Sequence, residues 1–195
     1  MRLLYMYVTG SEEALPREEE AAGIRRLSWI LARACEVLLA ALPLAVIGWW
    51  SFADAASLAA AANLPPLAVL GPLEGWQRAA GAAISLLPLV MLMAGLWQAR
   101  RFFGLFAAGR VFSADAVRCL RRFAGWVAAS VVARVVASAV LSVVLTASNP
   151  AGMKHLAIGV SSDALLALLF AGMVWVMAAV TARGRALAEE NASFV

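Results

Sequence analysis

Charge is what this chain has least of. Only 14% of its 195 residues are charged, while 64% are hydrophobic. Soluble domains usually carry about 25% charged residues. A soluble all-helical domain of this length would still need a polar face on most helices, and the longest apolar runs here have almost none. The balance predicts an integral membrane protein. Histidine occurs once, as His155, and cysteine twice, as Cys35 and Cys119. These residues are isolated from one another, so neither a disulfide framework nor a metal site is expected. The patterns GxSxG and HExxH, a phosphate loop and paired catalytic carboxylates are all missing. No enzyme activity and no cofactor is therefore expected. A signal peptide is not expected either. The LLYMYV run is too short, and the first long apolar run begins near Trp29, after a charged segment.

What is present is a set of four long apolar runs, at about 29–50, 79–97, 123–145 and 163–180. At 1.5 Å per residue, about 20 residues cross roughly 30 Å of hydrocarbon. The fold class expected is all-α, an integral membrane four-helix bundle forming one domain over residues 16–195. Residues 1–15 carry no pattern that chooses between strand, surface-lying segment and disorder. Pro16 suits a first helical turn, and Glu18, Glu19 and Glu20 suit its positive end, so a helix is predicted to start there. Trp49 and Trp50 are read as markers of the far membrane interface. The loop 51–78 is broken by Asn63-Leu64-Pro65-Pro66 and Gly71-Pro72. Its alanine-rich half predicts a short helix, its LAVL run suits the headgroup region, and a packed cap is preferred to a lid.

The runs at 79–97 and 123–145 form the arms of a helical hairpin whose turn is basic. Helix is expected to continue past Trp97 to Gly109, a good C-cap. Ser113 is a good N-cap with Asp115 in the first turn, so the next helix is predicted from Ala114 to about Thr146. The turn holds Arg100, Arg101, Arg110, Arg118, Arg121 and Arg122 against Asp115 alone. Thirteen of the sixteen basic residues fall in this turn or in the two terminal regions, counting Arg33. By the positive-inside rule both termini and this turn are cytoplasmic. Nothing resembling a nucleic-acid-binding motif accompanies these arginines, so direct nucleic-acid binding is not expected. Contact with membrane lipids is. The last span is expected to continue through TARGRALAEE, with NASFV leaving the helix. Ala107, Gly109, Arg110 and Asp115 recur 75 residues later as Ala182, Gly184, Arg185 and Glu190. Two related helical hairpins with cytoplasmic extensions would explain that echo, and so would chance in an alanine-rich chain.

Arg134 is the sharpest polar signal, because it falls at the centre of the third span. A charge there should face the bundle or a wet cavity. Glu36 in the first span and Asp163 at the start of the last are its candidate partners, Glu36 being preferred. Arg33 competes for Glu36 from one helical turn away. A structural ion pair is the default reading, and a gating, proton or ligand-binding role is the functional one. Ser130, Ala133, Ala137 and Ser138, with Gly81, Gly95 and Gly172 on other spans, suit close helix packing.

At GRVFSADAVRCLRRFAGW and RGRALAEENASFV the chain resembles a bacterial membrane family called domain of unknown function 2975. Gly109, Phe112 and Ser113 match the family's Gly-x-x-Phe-Ser/Thr turn. Gly184, Leu187, Glu189 and Glu190 match its Gly-x-x-Leu-x-Glu-Glu ending. The resemblance covers residues 25–195 and implies four spans in a bacterial inner membrane. It supplies no established activity. Some relatives are encoded beside small helix-turn-helix regulators, which implies a membrane partner that tethers or inhibits a soluble DNA-binding protein. The interaction motif would then comprise Gly109, Arg110, Phe112, Ser113, Arg185, Glu189 and Glu190. The alternative is a small transporter, or an export or immunity-type factor, using a cavity near Arg134. Association with further copies of the chain stays open on either reading.

Overall fold

The computed structural model describes residues 2–65, 68–70, 72–110, 113–150 and 152–192. For residues 2–21, 188, 189, 191 and 192 it describes the backbone alone. Five helices follow one another: α1 (Arg2–Phe52), α2 (Ala55–Ala61), α3 (Gly75–Ala107), α4 (Ala114–Leu145) and α5 (Ser162–Ala192). No strand occurs among the described residues. Four of the helices are long and apolar enough to cross a membrane. The chain is an all-α, multi-pass membrane protein.

Both ends are more helical than the sequence suggested. Helix α1 begins at Arg2 rather than Pro16. Proline has the φ of a helix and removes one hydrogen bond, a loss that a helix continuing on both sides can absorb. Helix α5 likewise runs through Asn191 and Ala192. The echo between the turn and the tail has no structural counterpart. Gly109 ends a helix with φ +74, whereas Gly184 lies within α5 and faces open space.

The four long helices form a row: α1 packs on α3, α3 on α4, and α4 on α5. Small residues set each seam. A Cβ on Gly81 of α3 would lie 2.1 Å from the Trp50 indole of α1. One on Gly95 would lie 3.3 Å from the Trp126 Cβ of α4. On α4, Ser130, Ala133, Ala137, Ser138 and Leu141 are buried. On α5 the buried alanines Ala164, Ala171 and Ala178 recur every seven residues, which returns them to one face of the helix. Gly172, expected at a seam, faces open space, and its neighbour Ala171 is the packed residue. Leu165, Leu166, Leu169, Phe170 and Met173 of α5 are exposed, as suits a lipid-facing surface. Lipid tails are as apolar as leucine, so close backbone approach, and not leucine burial, holds such helices together.

The end of the row opposite the basic turn is closed by a packed cap. Asp54 N-caps α2 by accepting from the Ser57 amide. Leu58, Ala59, Ala62, Leu64 and Ala68 then bury themselves against Trp50, Leu141 and Leu145. Ala68 and Val69 of the LAVL run thus belong to the cap. Trp50 is 5% exposed and donates its indole N–H to Ser85 Oγ at 3.0 Å, so it is a packing residue and not an interface marker; Trp49 remains half exposed.

Buried Gln77 and Asn149 and half-buried Arg78 sew the cap to the spans. Gln77 donates to the Val144 and Leu145 carbonyls at 3.1 and 3.3 Å, satisfying the end of α4. Arg78 donates to the Trp50 and Ala53 carbonyls at 2.9 and 3.0 Å, doing the same for α1. Asn149 joins the two outer loops. Its Nδ2 donates to Ala68 O at 2.7 Å, and its Oδ1 accepts from Leu70 N at 3.2 Å.

Candidate functional site

At the basic end α3 stops on a Schellman turn. Gly109 N–H donates to Phe106 O and Arg110 N–H to Leu105 O, both at 2.9 Å, and the positive φ at Gly109 favours a residue without Cβ. Ser113 Oγ then accepts from the Ala116 amide at 3.1 Å and starts α4. Val111 and Phe112 lie outside the described residues. With both helix ends capped, the arginines that follow project from a defined frame. Arg101, Arg110, Arg118 and Arg122 line a recess of about 500 Å³, together with Gln98 and Asp115. Asp115 is paired with Arg118. The Gln98 Oε1 is buried and accepts no hydrogen bond. A second groove, of about 270 Å³, runs between α4 and α5, lined by Val117 and Arg118 on one side and Ala182 and Arg185 on the other. Gly109, Arg110, Ser113 and Arg185 therefore share one end of the molecule. Glu190 is exposed on the last turns of α5. Glu189 is on the same helix, its side chain outside the described set.

Three arginine–tryptophan stacks mark the level of this end. Arg33 lies over Trp29, Arg100 over Trp97 and Arg121 over Trp175, at 5.4, 5.1 and 5.4 Å from the ring centroids. An aromatic belt with arginines reaching outward is the pattern of a membrane boundary. Trp175 pairs α5 with α4 in this way. Its partner is 54 residues distant in the chain, so the pairing is visible only in the folded structure.

Glu36 does not meet Arg134. It accepts from Arg33 at 2.6 Å and from Arg100 on α3 at 2.7 Å. The reason is depth. Arg100 stands one turn past Trp97, at the same boundary as Glu36, whereas Arg134 lies at mid-span. Asp163, exposed in the first turn of α5, has no ion pair among the described residues either. Arg134 itself makes no hydrogen bond or ion pair among the described residues. A guanidinium at the centre of a span costs about 2.5–3.5 kcal/mol on insertion scales.

Two recesses meet at Arg134. One, of about 250 Å³, is polar and lies under the cap, with Asn63, Ser138 and Ser161 in its wall. The other, of about 440 Å³, is apolar and lies between α1, α3 and α4, with Leu42, Trp49, Pro88 and Leu141 in its wall. Ser130, Ser138 and Ser142 donate to carbonyls of their own helix at 2.7–2.9 Å, so they do not form a continuous polar stripe. Among the described residues no three His, Cys, Asp or Glu side chains group as metal ligands would.

A family model described as a protein of unknown function, DUF2975, matches residues 50–195. The chain belongs to the DUF2975 family. The match takes in the cap, the basic turn, Arg134 and its polar recess, and all of α3, α4 and α5, but not the α1 wall of the apolar recess up to Trp49. It leaves out α1 up to Trp49, where the resemblance had been drawn from residue 25. No curated protein and no solved structure matches the chain. The DUF2975 turn residues Gly109 and Ser113 have plain structural duties as caps. The residues that sequence reasoning missed are Gln77, Arg78 and Asn149. Each is a single polar residue in or beside a loop, with partners that only the folded chain supplies.

Proposed function

We propose that this DUF2975 chain is a regulatory or scaffolding protein of the bacterial inner membrane, with both termini and the arginine-rich end in the cytoplasm. There it docks a soluble protein, such as the small helix-turn-helix regulator that the family resemblance implies. One observation carries the reading. Two recesses, one basic and one lined by alanine, valine and arginine, open side by side on the first two turns of α4, while the opposite end is closed by a packed cap. Rigid caps at Gly109 and Ser113 hold the basic side chains in register, which lowers the ordering cost of binding. Arginine can pair bidentately with carboxylates on a partner. The excess of arginine on this end supports its cytoplasmic placement.

The test is a photoactivatable residue at Leu187, exposed near the α4–α5 groove, used in native membranes. The expected result is one soluble cytoplasmic protein captured in stoichiometric amount, lost on Arg110→Glu with Arg118→Glu and retained on Arg134→Leu. Capture of lipid alone, or only of further copies of the chain, counts against the proposal. Orientation is tested in the same membranes with cysteine at position 156 or 187, in a background free of Cys35 and Cys119. An impermeant thiol reagent should reach position 156 in intact cells and position 187 only after permeabilisation.

A further inference from the structure

The geometry points to a second site, independent of the docking face: Arg134 anchors the anionic head of an acyl-chain amphiphile whose tail lies in the crevice between α1, α3 and α4. The polar recess and the apolar recess are contiguous, because Arg134, Ser138 and Ala61 line both. Arg134, an exposed residue, therefore borders both a polar chamber and an apolar one. This matches an amphiphile's own division into head and tail.

Charge complementarity selects the head. Arg134 lies at mid-span with no ion pair among the described residues, and neither Glu36 nor Asp163 pairs with it. Glu36 is held by Arg33 and Arg100, and Asp163 sits in the first turn of α5. A cation taken out of water needs a counter-charge, and a bound carboxylate or phosphate supplies it with bidentate geometry. The Ser138 hydroxyl donates to Val135 O and keeps its lone pairs, while Asn63 and Ser161 add polar surface to the head chamber. The other chamber selects the tail. Leu42, Val46, Trp49, Pro88 and Leu141 offer apolar surface, and the crevice opens between helices whose flanks face hydrocarbon. A small hydrophilic anion would leave that chamber without an occupant.

The probe is a diazirine-bearing fatty acid, compared with its methyl ester, on the full chain in phosphatidylcholine nanodiscs. Labelled peptides are mapped by mass spectrometry. The acid is expected to label residues 42–50 and 131–141 at least tenfold more than the ester. Arg134→Leu is expected to remove that preference and Arg134→Lys to retain it. Ala45→Trp fills the crevice from an exposed position of α1, so it keeps the test alive if Arg134→Leu does not fold. It should lower labelling at least tenfold with Arg134 intact. Competition separates the sources of the head. Stronger protection by oleate assigns a free carboxylate, and stronger protection by lysophosphatidate assigns a lipid phosphate. Equal labelling by the ester, no protection by either anion, or labelling indifferent to Ala45→Trp overturns the proposal.

Discussion

Trp50 packs on Gly81 so closely that a methyl group on the glycine would come within 2.1 Å of the indole. The indole is also pinned by its hydrogen bond to Ser85, one turn further along α3. It cannot swing away without breaking that bond and leaving the cap core. Gly81→Ala should therefore force α1 and α3 apart. The expected cost is about 1–3 kcal/mol, the usual range for overpacking, read as a lower midpoint of thermal unfolding in detergent. Gly184→Ala, at an open position of α5, is the control and should leave the midpoint unchanged or raise it.

Gln77 closes the α4 helix from a neighbouring span. Gln77→Ala strips hydrogen bonds from the Val144 and Leu145 carbonyls in a buried setting. An unsatisfied buried polar group costs about 1–3 kcal/mol. The cap should loosen before the rest of the molecule unfolds. Hydrogen exchange should show faster exchange over residues 58–64 and 144–149, with α3 near Gly95 unaffected.

Glu36 serves two arginines on two helices, so its loss should be coupled to theirs. Glu36→Gln leaves Arg100 without its counter-charge, and Arg100→Gln leaves Glu36 with Arg33 alone. The double variant should be less destabilised than the sum of the single ones in a double-mutant cycle. Additive effects would mean that the pair contributes nothing to α1–α3 packing. Arg134→Leu should show no such coupling to Glu36→Gln.

Asp54 makes the cap pH-sensitive. Its hydrogen bond from the Ser57 hydroxyl, aided by backbone amides, holds its carboxyl below the usual carboxylate range. A carboxyl depressed in the folded state stabilises that state at pH above its unfolded value. The contribution fades as pH falls through the lowered folded value. Protection of the α2 amides, corrected for intrinsic exchange rates, should fall over that acidic window and stay flat above it. Asp54→Asn should remove the pH dependence, since asparagine caps a helix without titrating.

Several features were legible because they are local. The four spans follow from runs of apolar residues about twenty long, and the hairpin turn from Gly109 and Ser113, whose capping chemistry involves only the adjacent turns. The family signal lay in the same short motifs. The start of α1 was not legible, because a proline after a mixed segment argues equally for a helix start and for a position inside one. Trp50 was misread because a tryptophan near a span end suits an interface and a core equally, and only the bare backbone of Gly81 across the seam decides between them.

The candidate sites divide along the same line. The sequence by itself determined that this is a multi-pass helical membrane protein with one basic end and one charge at mid-span, because hydropathy and charge add along the chain without reference to partners. Only the tertiary structure decided that Glu36 belongs to Arg100 and not to Arg134, that Gln77, Arg78 and Asn149 hold the cap, and that a polar and an apolar chamber meet at Arg134. Those relationships join residues tens of positions apart. They depend on the depth and rotation of each helix, which the packing of small residues at the seams sets.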